Sequence, residues 1–176
     1  MALTSIDKVC DTILSFIKDQ EPVYNTMIDR FYSGRKLNLF LGRRATFPAS
    51  SLPAIEVDPI SDTIGWFGCR TQQEEPEIEI DITTDNSDPE SAVRLQAIMV
   101  NLTVRILSIP PHLRTQIKGT RVHLYDSLPS SVRYGKVREG RMRIATISWK
   151  GKSLEYLANR LFEPIDIPGP LAFPLV

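Results

Sequence analysis

The stretch "EIEIDITTDNSDPESAVRLQAIMVNLTVRIL", residues 77–107, carries the two signals that decide the fold. Glu77, Glu79 and Asp81 alternate with Ile78, Ile80 and Ile82. A period of two predicts a strand with its isoleucines toward a core and its carboxylates on the opposite face. Asp85 to Ser87 then form a turn, Asp88 sits at the helix cap position, and Pro89 and Glu90 open the first helical turn. Leu95, Ile98, Met99, Leu102 and Ile106 make one apolar stripe, which Val93, Ala97, Val100, Val104 and Leu107 widen. So wide a stripe predicts a central helix over 89–108, covered on more than one side. Pro110 and Pro111 stop it.

Working outward, Ile6, Val9, Cys10, Ile13, Leu14 and Ile17 predict an amphipathic first helix capped by Thr4 or Ser5. Cys10 lies on its apolar side and reads as a buried small hydrophobe. Residues 22–51 are irregular, with "KLNLFL" as a short strand before a loop carrying Arg43 and Arg44. "LPAIEVDP" reads as a strand closed by Pro59, and "TIGWFGCR" as a second strand weakened by Gly65 and Gly68. In the second half "TRVHLYDS" alternates, and "RYGKVREGRMRIATISWKG" reads as a hairpin turning at Glu139-Gly140. Met142 and Ile144 share one face of its second strand while Ile147 and Trp149 share the other, which requires a bulge or cover on both faces. "SLEYLANRLF" reads as a short helix with Leu154, Leu157, Ala158 and Leu161 inward. The predicted class is α/β (α+β): a mostly antiparallel sheet flanked by an N-terminal helix and a long central helix. Residues 1–162 form one domain. Residues 163–176, with Pro164, Pro168, Pro170 and Pro174, form an extended arm. Ile165, Ile167, Leu171 and Phe173 make that arm too apolar for a free tail, and mark it as a docking element.

Composition narrows the class. The 42% hydrophobic and 24% charged content is that of a globular chain, and no apolar run is long enough to cross a bilayer. Asp7, Lys8, Asp11 and Lys18 interrupt the N-terminal segment, against a signal peptide. Two cysteines, Cys10 and Cys69, make neither a disulfide framework nor a zinc site, and fit a reducing compartment. The zero net charge hides a split. Residues 1–90 hold 8 bases and 16 acids, whereas 91–176 hold 13 bases and 5 acids. Either the halves neutralise each other in one fold, or they mark interaction surfaces.

Little in the chain points to catalysis. His112 and His123 have no cysteine or second histidine at metal spacing. The glycines fit no phosphate-binding loop, and no G-x-S-x-G elbow occurs. The acid row Glu77, Glu79 and Asp81 is the best metal candidate, with Lys150 or Lys152 near it, but any half-exposed antiparallel strand alternates in this way. The expectation is therefore no enzyme, no cofactor and no metal, with neutral amides at the three acids leaving the fold intact. Arg133, Lys136, Arg138, Arg141, Arg143, Lys150 and Lys152, interleaved with Tyr134 and Trp149, offer a nucleic-acid patch as an alternative. Pairing Arg133, Arg138, Arg141 and Arg143 with the acidic strand of another copy accounts for both charged segments at once, and such heterologous contacts close into rings.

The order of elements resembles the tail terminator (tail completion) proteins of long-tailed bacteriophages and related contractile injection machines. The resemblance rests on the N-terminal helix, "LPAIEVD", the Trp-containing segment, "EIEIDITT" leading into "DPESAVRLQAIMVNLTVRIL", and the basic C-terminal hairpin. It covers residues 1–162 and leaves out the arm. It implies a homo-hexameric ring at the virion neck, assembled in the host cytoplasm. Such a ring caps the tail tube protein, docks the head connector and, in contractile tails, meets the sheath. The genome passes through the ring without sequence-specific contact, and no membrane is involved. The family carries no catalytic residues, so none are transferred. A head-completion or neck protein is the near alternative. In a ring of this kind, Glu77, Glu79 and Asp81 facing the lumen would repel phosphate.

Overall fold

A computed structural model describes residues 5–42, 48–66, 71–108, 122–138 and 142–156. The Arg43–Arg44 loop, the Pro110-Pro111 segment, Arg141, the C-terminal part of the expected last helix and the whole arm with Ile165, Ile167, Leu171 and Phe173 lie outside them.

Helix α1 spans Ser5–Asp19 and buries Val9, Cys10, Ile13 and Ile17 completely. Burial, followed by the charges of Asp7, Asp11 and Asp58, pushes the Cys10 thiol up to about 12, so it acts as an inert core side chain. Helix α2, Glu21–Asp29, follows directly. Pro22 opens it, and Tyr24 and Ile28, one turn apart, are fully buried. Tyr24 Oη and Thr103 Oγ1 share a 2.7 Å hydrogen bond inside the core.

The sheet has five strands in the order β1-β2-β3-β5-β4: β1 Asn38–Leu41, β2 Ala54–Trp66, β3 Thr71–Asp85, β4 Val122–Arg138 and β5 Met142–Tyr156. Strand β1 is parallel to β2 and every other pair is antiparallel. Between β3 and β4, helix α3 spans Pro89–Ser108 and packs with α1 and α2 on one face of the sheet. Ile78, Ile80 and Ile82 point into that core with no exposure, beside Ile55, Val57, Ala145, Ile147 and Trp149. Burying each isoleucine stabilises the fold by about 1.5–3 kcal/mol. The α+β class and the strand-turn-helix reading of 77–108 thus hold.

Three local readings are corrected. Pro59 does not close its strand: β2 runs through it to Trp66, and a register irregularity between Pro59 and Ser61 absorbs the missing donor. "VHLYDS" and "RYGKVR" belong to one long strand, β4, with three such irregularities. Ser153–Tyr156 continues β5 instead of starting a helix, because β3 pairs it on one side and β4 on the other. The slipped pattern in β5 resolves as cover on both faces. Ile147 and Trp149 enter the main core, while Met142 joins Leu52, Ala54 and Phe40 in a small cluster on the opposite face. Helix α3 is less enclosed than its stripe suggests, with Val93 42% exposed.

Candidate functional site: the polar face of the sheet

The face turned away from the helices is built by alternation. On β3 it presents Glu77, Glu79 and Asp81, because Ile78, Ile80 and Ile82 occupy the core side. Across the ladder Glu77 lies opposite Lys150, Glu79 opposite Ser148 and Asp81 opposite Thr146, all on β5. On the other flank Asp58 and Glu56 of β2 face Glu79 and Asp81.

Each expected acid has a partner in its own chain. Lys150 Nζ lies 3.0 Å from Glu77 Oε1, and Ser61 Oγ donates to Glu77 Oε2 at 3.3 Å. The Lys150 hydrogen bond, against a smaller opposing effect of burial, holds the Glu77 carboxyl below its ordinary range. Arg133 Nη2, reaching across β5 from β4, sits 2.6 Å from Glu79 Oε1. Thr146 Oγ1 donates to Asp81 Oδ1 at 2.5 Å. Asp81 is 7% exposed and Glu56 4%, so this part of the row is not a solvated wall. Asp81 differs from the other two acids, because its burial and its Thr146 bond tie it into the sheet.

The expected interface bases do not share one environment. Arg133 is on the polar face with Glu79. Arg143 lies on the helix side, where its Nε donates to Gln96 Oε1 of α3 at 3.1 Å. Arg138 ends β4 opposite Met142. Trp149 cannot stack on a base, since it is fully buried, whereas Tyr134 is 57% exposed. A cleft of about 250 Å³ opens at the Glu77 end, lined by Ser61, Thr63, Glu75, Glu77, Lys150 and Lys152 among others. Its charges are mixed, and no group of three His, Cys, Asp or Glu side chains among the described residues is placed to hold a metal.

Two features escaped the sequence reading. Asp62 on β2 and Glu74 on β3 bring two carboxyl groups together, and Asp62 Oδ1 is buried without a hydrogen-bond partner. Burial first, then Glu74, raises the Asp62 carboxyl to about 6. The second is a clamp on the end of β3. Arg35 Nη1 lies 3.0 Å from Asp85 Oδ2, and Tyr32 Oη donates to the Asp85 carbonyl at 2.8 Å. Neither has a local motif; both need the tertiary fold.

Large apolar side chains stay exposed at Ile60 and Ile64, on the part of β2 beyond its pairing with β1, and at Leu128, Val132 and Tyr134 on the outer strand β4. No family model matches the sequence, and the curated proteins give no match. Among solved structures, a chain of "Virion of native gene transfer agent (GTA) particle" aligns at a TM-score of 0.44 and 11% identity, covering 77% of this chain and 90% of that chain. A likeness of that degree carries no argument about function.

Proposed function

We propose that this chain is a non-enzymatic structural subunit of a phage-like virion, and specifically a tail-terminator-like protein that assembles as a six-membered ring at the neck. The observation that carries the reading is the placement of exposed apolar side chains on opposite sides of one sheet. Ile60 and Ile64 lie on β2, and Val132 and Tyr134 on the β4 edge. Unlike surfaces on opposite sides of a subunit make head-to-tail contacts, and these close into rings when the rotation permits. The resemblance in element order supplies the copy number and the partners: the tail tube below, a head connector above and, in a contractile machine, the sheath. A head-completion protein of the same neck is the near neighbour of this reading.

The charge distribution fits a structural role better than nucleic-acid recognition. The acidic β3 lies against the basic β5, and Lys150 and Arg133 bond the very acids that face them. A basic hairpin with two of its cations held by carboxylates and its tryptophan in the core is a poor phosphate binder. In the ring, the residual acidity of the polar face keeps passing DNA from adhering. The test is negative-stain imaging of the purified chain with and without tail tube. Rings of fixed size that cap tubes are expected. A monomer that binds DNA with a steep salt dependence would replace this reading with the nucleic-acid one.

A further inference from the structure

The C-terminal sequence has a parity that composition alone does not reveal. Pro164, Pro168, Pro170 and Pro174 all fall at even positions. Ile165, Ile167, Leu171, Phe173 and Leu175 all fall at odd ones, with Gly169 between them. In an extended chain, alternate residues point their N–H and C=O groups to the same edge and their side chains to the same face. Every donor that proline removes is then missing from one edge. The other edge keeps all its donors, and the five apolar side chains named share one face, with Ala172 and Val176 on the other. Proline is accepted in sheets on edge strands with the blank side toward solvent. The segment thus has the pattern of a strand that can be added to a sheet edge and cannot itself be extended.

The sheet presents a matching edge. Among the described residues β4 pairs only with β5. Beyond its first irregularity its longest regular run is Ser131–Tyr134. Val132 and Tyr134 in that run lie opposite Ile147 and Ala145, so they sit on the core side, yet they are 37% and 57% exposed. They are two residues apart, as are Leu171 and Phe173. Charge agrees as well: beyond Arg133, which Glu79 holds, β4 carries Lys136 and Arg138, and the tail carries Glu163 and Asp166. The acids Asp58 and Asp62 make β2 the poorer acceptor.

We propose that Leu171–Leu175 of one copy adds as a sixth strand to the Ser131–Tyr134 edge of the next copy, pairing through its odd residues and turning its proline edge to solvent. This rests on the ring reading for the identity of the donor as a neighbour. Strand β5 ends at Tyr156, paired with Thr71, at the end of the sheet where β4 begins at Val122. To lie on its own β4 the tail would have to double back over the sheet from that end. The mode is β-strand addition, with main-chain bonds for affinity and Leu171 and Phe173 for register.

The test exploits the parity in the full-length chain. Ala172→Pro removes a donor from the blank edge and should leave self-association, measured by sedimentation velocity, at the native level. Leu171→Pro removes a donor from the pairing edge and should weaken association about tenfold more than Leu171→Ala, the loss of one main-chain hydrogen bond. Equal loss in the two proline variants overturns the proposal. In a Cys69→Ser background, Tyr134→Cys with Phe173→Cys should give covalent bonds between copies on oxidation. Closure within single chains, or no bond, overturns it too. Linked copies that never close into rings would uphold the strand addition and sink the ring. Rings indifferent to both proline positions would do the reverse.

Discussion

Arg143 provides a sharp test of how the basic strand is used. Its Nε donates to Gln96 Oε1 at 3.1 Å, and Gln96 is 1% exposed with its Nε2 directed to the Ile82 carbonyl at 3.4 Å. Replacing Arg143 with Met leaves a buried amide oxygen without its donor, which costs about 1–3 kcal/mol. For a chain of this size, 2 kcal/mol lowers the melting temperature by roughly 4–8 °C. Replacing Gln96 and Arg143 together by Met removes both polar partners and should recover most of the loss, because paired apolar replacement is close to neutral. Thermal and urea unfolding of the native chain, both single variants and the double variant close the cycle. Two results would refute the reasoning: an Arg143→Met chain within about 0.5 kcal/mol of native, or a double variant no more stable than Arg143→Met. The cycle also bears on assembly. Charge reversal at Arg143 disturbs the subunit itself, so any loss of rings must be compared with the loss of fold.

Other perturbations have definite expected outcomes. Gly151→Ala would drive its Cβ into the Trp149 ring, which is fully buried, so overpacking should cost about 1–3 kcal/mol in urea unfolding. Asp62 has its folded pKa raised from 3.8 to about 6, so its proton is held more tightly in the fold. Its contribution to stability is complete below about pH 4 and is lost as pH rises through 6. Asp62→Asn should therefore gain about 1 kcal/mol over native at pH 8, after allowance for solvent screening, and nothing at pH 4; a gain equal at both values would contradict this. Glu77→Gln with Glu79→Gln should still unfold cooperatively and assemble, but hold DNA more tightly in a filter-retention assay, whereas unchanged retention would remove these acids from the lumen.

The readings that succeeded were those whose physical cause is local. Alternation at 77–82, the Asp-Pro-Glu entry to α3 and the apolar spacing of α1 are each set within a few residues, and the sheet and helices form where they predict. Failures came where the ladder overrides the local signal. Pro59 stops an isolated strand but not one that can bulge against β3. "SLEY" has helix-forming residues, yet two flanking strands pair with its backbone. Helix α2 was hidden because nine residues carry only two buried side chains. For the candidate site, parity placed the three acids on one face, whereas the charge split left open whether the bases they meet belong to the same chain or to another copy, and the pairs seen lie within one chain. That Arg133 would cross from β4 to Glu79, that Arg143 would turn to Gln96, and that Asp62 would meet Glu74 depends on strand order, which no local pattern encodes.

The central claim is that these subunits close into a ring built from unlike sheet edges. The most direct measurement is the mass and shape of the full-length chain in solution, by native mass spectrometry with single-particle imaging at low and moderate salt. The account predicts one dominant species of six copies with an open centre, lost when residues 165–176 are removed while the monomer keeps its melting temperature. A monomer at all concentrations, or a two-fold dimer joined through identical surfaces, would contradict it.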